Sequence, residues 1–190
     1  MPGGSEMRDA LHLSYAAVRA RAPAATGIVL LHIGEEGVSV AAGTGNEPSQ
    51  VLTLNMGWSR IVTDFFQHNP PAPIEIEEAI MVVEDEVTRA RELAARHPSL
   101  YSTDEVIHDI ASTAGCPHEP TILLTMEQVE WLFDQLAARS EGRLSSQVQV
   151  PDDPRFAATL LILREFMHHL RFDSVTLMRE AAATGPAHSM

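Results

Sequence analysis

The hydrophobic pattern of the first third of the chain predicts one helix followed by three strands. Between residues 5 and 20, apolar side chains recur at the spacing of one helix face, at Met7, Leu11, Tyr15 and Val18. Three apolar runs of strand length follow at residues 26–33, 38–42 and 51–56, separated by turns that contain glycine. Because only the short segment G-E-E-G separates the first two runs, we expect them to pair as a hairpin.

A proline-rich segment marks the start of a long helix, which the pattern extends from residue 73 to about residue 96. Pro73 fits the first turn of a helix, where a backbone N–H is not needed. The apolar face of this helix steps by three or four residues, through Ile76, Ile80, Val83, Val87, Ala90 and Ala94. We expect this face to pack on the sheet and the helix to end near Pro98.

Residues 105–110 fit two different elements. Their sequence, E-V-I-H-D-I, alternates in the manner of a short strand, and this is the interpretation that we favour. Ser102 and Glu105 also fit a capping box, so a helix is the alternative.

The last third of the chain predicts two helices and a closing strand. Thr125 and Gln128 fit a capping box that begins a helix ending near Gly142. A polar connection at residues 145–153 leads to a helix at residues 154–170 and then to a strand at residues 174–178. The apolar faces of the two helices hold Val129, Leu132, Phe133 and Leu136 in the first, and Phe156, Leu160, Leu163, Met167 and Leu170 in the second.

The order of these elements predicts the fold class. Three strands, a helix, a strand, two helices and a strand is the order of one ribonuclease-H-like half of an actin-like ATPase domain, an α/β fold with a mixed sheet flanked by helices. We expect one such domain over residues 5–180. Residues 1–4 would form a flexible terminus or tag, and residues 181–190 a tail.

The composition limits the cellular compartment and the classes of ligand that we expect for this protein. The 190 residues are 45% hydrophobic, enough for one core, and the lone Cys116 suits a reducing compartment. Since the sequence has no apolar run of membrane-spanning length and no export signal, we expect a cytoplasmic protein without a membrane partner. The formal net charge of -13 argues against nucleic acid as a partner and makes long polyphosphate a poor ligand.

The nine histidines do not predict a metal site. Cys116 and His118 form one irregular pair, with His97 or His108 as distant partners, whereas zinc sites show two tight ligand pairs. His168 and His169 are adjacent on a helix, where side chains point about 100° apart and cannot chelate together. We therefore expect no bound metal from these residues.

Three motifs occur in a fixed order along the chain: V-L-L-H-I-G-E-E-G-V-S-V at residues 29–40, L-N-M-G-W-S-R at residues 54–60 and I-H-D-I-A-S-T at residues 107–113. With the segments at residues 6–18, 70–87, 125–143 and 154–185, they resemble the C-terminal, second actin-like domain of the exopolyphosphatase and guanosine pentaphosphate phosphohydrolase (Ppx/GppA) family. The matching family motifs are D-I-G-G-G-S-T-E-L, L-P-L-G-x-x-R and v-G-G-T. The resemblance covers most of the chain.

The resemblance implies that the family's cation-binding acids would fall at positions 32 and 39. These positions hold His32 and Ser39, so both are degenerate and no catalytic or metal-binding residue carries over. The family's glycines let backbone N–H groups close on phosphate, whereas Glu35 and Glu36 place two like charges there. A phosphate ligand is therefore disfavoured.

Some phosphate-loop residues are retained. Gly57 and Arg60 match the family motif, and Gly34, Gly37 and Thr113 complete the candidate ligand-binding set. Ala111 and Ser112 replace two glycines of the v-G-G-T loop, and A-T-G at residues 183–185 replaces the family's closing R-E-G.

The resemblance leads to three hypotheses about function. The first is a non-catalytic domain that acts through a protein partner or through self-association as a homodimer. The alternative is an active phosphoric-anhydride hydrolase that uses Mg²⁺ and a second half, because such enzymes work in a cleft between two halves and this chain is long enough for one. A third is a sensor of a nucleotide or another small ligand.

Overall fold

A computed structural model describes residues 4–24, 26–143 and 150–179 of the chain. The helices are α1 (Gly4–Arg21), α2 (Trp58–Phe65), α3 (Pro73–Thr88), α4 (Arg91–Ala94), α5 (Glu105–Thr113), α6 (Met126–Ser140) and α7 (Pro154–Leu170). The strands are β1 (Ile28–Ile33), β2 (Val38–Gly43), β3 (Gln50–Leu54), β4 (Ser99–Ser102), β5 (Thr121–Thr125) and β6 (Ser174–Met178).

The six strands form one mixed sheet in the order β3-β2-β1-β4-β6-β5. At its centre β1, β4 and β6 run parallel, while β2 and β3 continue one side and β5 the other as antiparallel strands. The hairpin register places His32 opposite Ser39. Because β1 and β4 are parallel neighbours, Ile33 and Ser102 end their strands at the same edge of the sheet.

Two apolar clusters cover the two faces of the sheet. The larger one lies between the sheet and the helices after β3, and α7 runs through its centre with most of its side chains buried. The smaller one joins α1 to the opposite face of the sheet, through Leu11, Tyr15, Val18, Ile28, Leu30, Ala41, Tyr101 and Met178. Leu11, Tyr15 and Val18 of the pattern that predicts α1 thus cover this face.

Several predictions from the sequence are confirmed. The mixed α/β sheet and the antiparallel hairpin of β1 and β2 are both present. In the predicted capping box, the Thr125 hydroxyl accepts the Gln128 N–H and the Gln128 side chain accepts the Thr125 N–H. The bounds predicted for α7 and β6 are those observed.

The favoured strand at residues 105–110 is wrong, because this segment forms helix α5. Asp104 precedes α5 and Glu105 lies in its first turn, where acids are favoured by the helix dipole. The alternation of apolar residues also fits one helix face, since Ile107, Ile110 and Ala111 are spaced by three and four and all are buried. The family's v-G-G-T loop was expected at residues 107–113, and these residues lie inside the same helix.

The long helix also differs from its prediction. It ends at Thr88 and is followed by the short α4, so the predicted span to residue 96 is two helices. Its main packing partner is α7 rather than the sheet. Ile80 is only half-buried, while Ile76, Ala79 and Val83 are buried.

The sequence pattern missed α2, β4 and β5, each of which has at most eight residues. Of the two predicted tails, residues 1–3 and 181–190, including 183–185, lie outside the described residues, as does most of the polar connection at residues 145–153. Gly4, which the prediction placed in the flexible terminus, is the first residue of α1. Within the described part of the chain, no helix is long and apolar enough to cross a membrane.

Candidate functional site

A cleft of about 930 Å³ opens at the edge of the sheet where β1 and β4 end. After β1 the chain turns into the hairpin on one side, and after β4 it enters α5 on the other. A place where neighbouring parallel strands diverge in this way is the usual ligand-binding edge of an open α/β sheet. Side chains from α1, β1, α5 and α7 line it, among them Leu11, His32, His108 and Thr159.

His32 and Asp104 join the two strand ends. Nδ1 of His32 lies 2.7 Å from Oδ1 of Asp104, and Oδ2 of Asp104 accepts the backbone N–H of Ile33 at 2.7 Å. Asp104 is itself held by its N–H, which donates to the buried Ser102 hydroxyl at 3.2 Å. The hydrogen bond to Asp104 raises the pKa of His32, against the opposing effect of burial.

His108 and Thr159 bring buried polar atoms to the cleft. Both ring nitrogens of His108 are buried without a well-formed hydrogen bond, and the Met178 backbone is close enough to favour its charged form slightly. Burial lowers the pKa of His108, and the nearby Arg179 charge lowers it further. The Thr159 hydroxyl is also buried without a partner. Unpaired buried polar groups are uncommon, and these atoms lie behind the solvent-exposed wall of the cleft.

The predicted phosphate-binding turn packs against the beginning of α2. The Trp58 N–H donates to the carbonyl of Gly34 at 3.1 Å, and the Ser59 N–H donates to the carbonyl of Glu35 at 3.1 Å. Within the turn, the Gly34 N–H donates to the Gly37 carbonyl at 2.9 Å. Two of the free N–H groups that begin every helix are therefore satisfied by the chain's own backbone.

Gly57 permits this contact. A Cβ on Gly57 would lie 2.1 Å from the Glu35 carbonyl oxygen, far inside the normal contact distance. Gly34 and Gly37 are also crowded, because their added Cβ atoms would each lie 2.9 Å from a backbone oxygen. The three glycines of the candidate set thus lie together, and close packing of backbone on backbone explains all three.

The other candidate residues lie apart from the cleft or contribute little to its surface. Ser39 is opposite His32 on β2 and is buried. Arg60 donates to the Asn55 carbonyl at 2.7 Å and pairs with Asp64. Thr113 lies at the end of α5, where its hydroxyl donates to the Asp109 carbonyl. Neither Arg60 nor Thr113 lines the cleft.

The two glutamates of the turn do not lie where they were expected, at the position of a bound phosphate. Glu35 and Glu36 are exposed at the tip of the hairpin, and neither lines the cleft. Their backbone, rather than their charge, contacts α2. Both signs of charge line the cleft, with Arg155 and Arg179 as the basic residues and Asp104, Glu105 and Asp109 as the acids.

The cleft does not fit a Mg²⁺ ion of the kind that the resemblance implies. Mg²⁺ takes oxygen ligands in a near-octahedral arrangement. At the position expected for an acid, the chain offers the imidazole of His32, and both oxygens of Asp104 already accept hydrogen bonds. Among the described residues, no group of three or more His, Cys, Asp or Glu side chains is arranged to hold a metal ion.

Sequence reasoning missed Asp104, His108 and Thr159 as cleft residues. Asp104 follows a four-residue strand that has no strong pattern, and its partner His32 is 72 positions away. His108 was considered only as a distant metal ligand. Cys116, the other member of that metal hypothesis, is buried, and the Gln128 side chain lies 3.3 Å from its sulfur.

Comparison with solved structures identifies the fold. The chain is similar to the Ppx/GppA enzyme of Aquifex aeolicus, with a TM-score of 0.70 and 19% identity over 87% of this chain and 57% of that chain. It is similar to an exopolyphosphatase-like protein (TM-score 0.70, 13% identity, 94% and 62% coverage). It is also similar to an exopolyphosphatase of Cytophaga hutchinsonii (TM-score 0.68, 13% identity, 87% and 57% coverage).

These similarities confirm the actin-like α/β fold and the structural resemblance to Ppx/GppA proteins that the motifs predict. The chain spans little more than half the length of these solved chains, which is consistent with one domain of such a protein. No protein-family model and no curated protein sequence matches the chain.

Proposed function

We propose that the chain is a degenerate, non-catalytic Ppx/GppA-like phosphatase domain that acts through contacts with another protein or with a second copy of itself. The observation that carries this proposal is the pair of hydrogen bonds from Trp58 and Ser59 to the carbonyls of Gly34 and Glu35. These bonds close the turn that would otherwise receive phosphate.

Phosphate recognition at a helix N-terminus depends on backbone N–H groups that are free to point at the anion. A phosphate approaching α2 would have to break both internal bonds, and the Gly34 and Glu35 carbonyls would then face it with their negative ends. Since an unpaired carbonyl and a lost N–H bond each carry a free-energy cost, phosphate binding here is disfavoured.

The second support comes from the position expected to bind the cation. Phosphoryl transfer relies on metal ions to neutralise the developing charge. Neither His32 nor Ser39 has a carboxylate to offer a cation. The His32 ring is hydrogen-bonded to Asp104, and Ser39 is buried on β2. The degenerate motif and the closed turn therefore both support a non-catalytic domain.

Exposed apolar side chains support a role in protein contacts. Ile74 and Met81 lie seven residues apart on α3 and are 59% and 63% exposed. Leu123 is 58% exposed on the edge strand β5, and Leu13 is 72% exposed on α1. The net charge of -13 favours a protein partner over nucleic acid.

The test is phosphate release from polyphosphate and from guanosine pentaphosphate, in the presence of Mg²⁺ or Mn²⁺. We expect no release above background. Turnover that a chelator abolishes would instead support the active hydrolase. The matched variant carries His32→Asp, Glu35→Gly, Glu36→Gly and Ser39→Glu, and we expect it to gain phosphate affinity over the unmodified chain.

Two further measurements separate the roles that remain. Size-exclusion chromatography with light scattering distinguishes self-association from a separate partner, because only the former gives a dimer of the pure chain. A thermal-shift panel of nucleotides tests the sensor hypothesis, since a ligand that binds only the folded state raises the melting temperature.

A further inference from the structure

A second cleft, of about 900 Å³, lies at the opposite edge of the sheet, where β4 and β6 begin. Its wall includes Arg91 of α4, His97 before β4, the adjacent His168 and His169 at the end of α7, and Arg171. We propose that this cleft binds the phosphate group of a small phosphorylated molecule. The site is separate from the His32–Asp104 cleft and independent of whether that cleft is catalytic.

Two arginines of this cleft carry positive charge that no ion pair among the described residues compensates. The chain has 26 acidic and 13 basic residues, so an arginine can readily find a carboxylate partner. Arg91 and Arg171 nevertheless make no ion pair or side-chain hydrogen bond with any described residue. Asp173 is the only carboxylate among the residues that line the cleft.

Two acids that contact the histidines of the cleft wall are already paired with Arg164. Glu165 is buried and pairs with Arg164 at 2.5 Å and with His169 at 3.1 Å. Glu130 pairs with Arg164 at 2.9 Å and lies 3.7 Å from His168. Glu130 and Glu165 are therefore held by Arg164 and do not pair with the two arginines of the cleft.

The backbone of Arg171 has a left-handed conformation that is unusual for a residue with a side chain. Arg171 follows α7 with φ 61° and ψ 44°, and it is the one non-glycine residue with positive φ among the described residues. The two other helix ends with positive φ use Gly115 and Gly142. Glycine adopts this left-handed conformation without the steric cost that an L side chain carries.

The helix dipole does not by itself explain Arg171. A cation near the end of α7 would complement the dipole, but a guanidinium within the last helical turn would do so without a positive φ. Arg171 has a left-handed backbone and lines the same cleft as Arg91, a second arginine without an ion pair among the described residues, and a ligand that uses both side chains explains the two features together.

The chemistry of the wall selects a phosphate group. Guanidinium groups bind phosphate through paired N–H donors, and two of them match its charge at neutral pH. Burial lowers the pKa of His97, so the positive charge comes from the arginines rather than from this imidazole. The volume exceeds that of free phosphate and falls in the range of small-molecule sites, which favours a phosphorylated molecule.

The test is a titration of the isotope-labelled chain with inorganic phosphate and with glycerol 3-phosphate, followed by amide chemical shifts at constant ionic strength. We expect saturable shifts at Ser99, Phe172 and Ser174, which border the cleft. Arg171→Asn keeps a residue that tolerates the left-handed conformation, and should weaken binding about tenfold or more. Arg91→Ala should have a similar effect.

Arg179→Ala, in the first cleft, is the matched control and should leave this binding unchanged. A thermal melt of each variant shows that it is folded. The proposal is overturned if neither probe gives a saturable shift at the cleft at about 10 mM. This concentration is well above a Kd of about 1 mM. It is also overturned if Arg171→Asn and Arg91→Ala bind these phosphate probes as tightly as the unmodified chain does.

Discussion

His32 and Asp104 lie 2.7 Å apart, from Nδ1 to Oδ1, and this pair joins the end of β1 to the residue that precedes α5. The resemblance to Ppx/GppA proteins places a cation-binding acid at position 32. In this chain the same position carries a hydrogen-bonded imidazole, so its interaction partner is a side chain of the same protein.

The His32–Asp104 pair predicts a pH dependence of stability. The pKa of His32 is raised in the folded chain, chiefly by its hydrogen bond to Asp104. The stabilisation is therefore complete below the unfolded pKa of about 6.5 and declines as the pH rises through the raised folded value. Asp104→Asn should lower the pKa of His32, and the difference in unfolding free energy between the two proteins should shrink as the pH rises.

Histidine proton resonances give the pKa directly, and urea unfolding at several pH values gives the stability difference. A His32 pKa that Asp104→Asn leaves unchanged would contradict the assigned contact.

Gly57→Ala should destabilise the chain by about 3 kcal/mol or more. The new Cβ would lie 2.1 Å from the Glu35 carbonyl oxygen, so either the turn or α2 must move. Gly45→Ala is the matched control, because its Cβ would meet nothing closer than 3.8 Å, and its effect should stay within about 0.5 kcal/mol. Urea unfolding of both variants checks this, and equal stability of the two would show that the turn does not pack on α2.

The sequence predicted the elements whose patterns are long or capped, and missed those that depend on tertiary contacts. The spacing of the buried residues determined α7, and the Thr125 capping box located the start of α6. By contrast, the residue that precedes α2 at its N-cap is Gly57, which has no side chain to cap the helix. Trp58, Ile61 and Phe65 do fit one helix face, and that spacing was the available signal.

The site was less accessible to sequence reasoning than the fold. The resemblance directed attention to His32, and the structure places this residue on the wall of the cleft. It could not reveal that Asp104 would pair with it, because the two residues meet only through the parallel pairing of β1 and β4. The carbonyls that close the turn are backbone atoms, and the side-chain pattern carries no information about them.

Thr159→Val should stabilise the chain by about 1 kcal/mol. The Thr159 hydroxyl is buried without a partner, and replacing it with a methyl group of similar size removes its desolvation cost. Thr113→Val is the control, since that hydroxyl donates to the Asp109 carbonyl and its loss should not stabilise α5. Differential scanning calorimetry compares the two, and a lower melting temperature for Thr159→Val would indicate that the hydroxyl has an internal partner.

Arg171→Gly should also raise stability, by about 1 kcal/mol, because glycine adopts the left-handed conformation without strain. Gly142→Ala reverses the change at a helix end with φ 73° and should lower stability by a similar amount. Melting temperatures of both variants test the pair of predictions. A loss of stability on Arg171→Gly would mean that the guanidinium makes a structural contact that outweighs the strain.

The central claim is that the chain's own backbone closes the predicted phosphate-binding turn. Its most direct test follows the amide protons of Trp58 and Ser59 during a titration with tripolyphosphate and Mg²⁺. Both amides donate to carbonyls of the turn, so we predict slow hydrogen exchange and no saturable shift at either position. Fast exchange of these amides in the free chain, with saturable shifts on adding tripolyphosphate, would contradict the claim and support an open phosphate site.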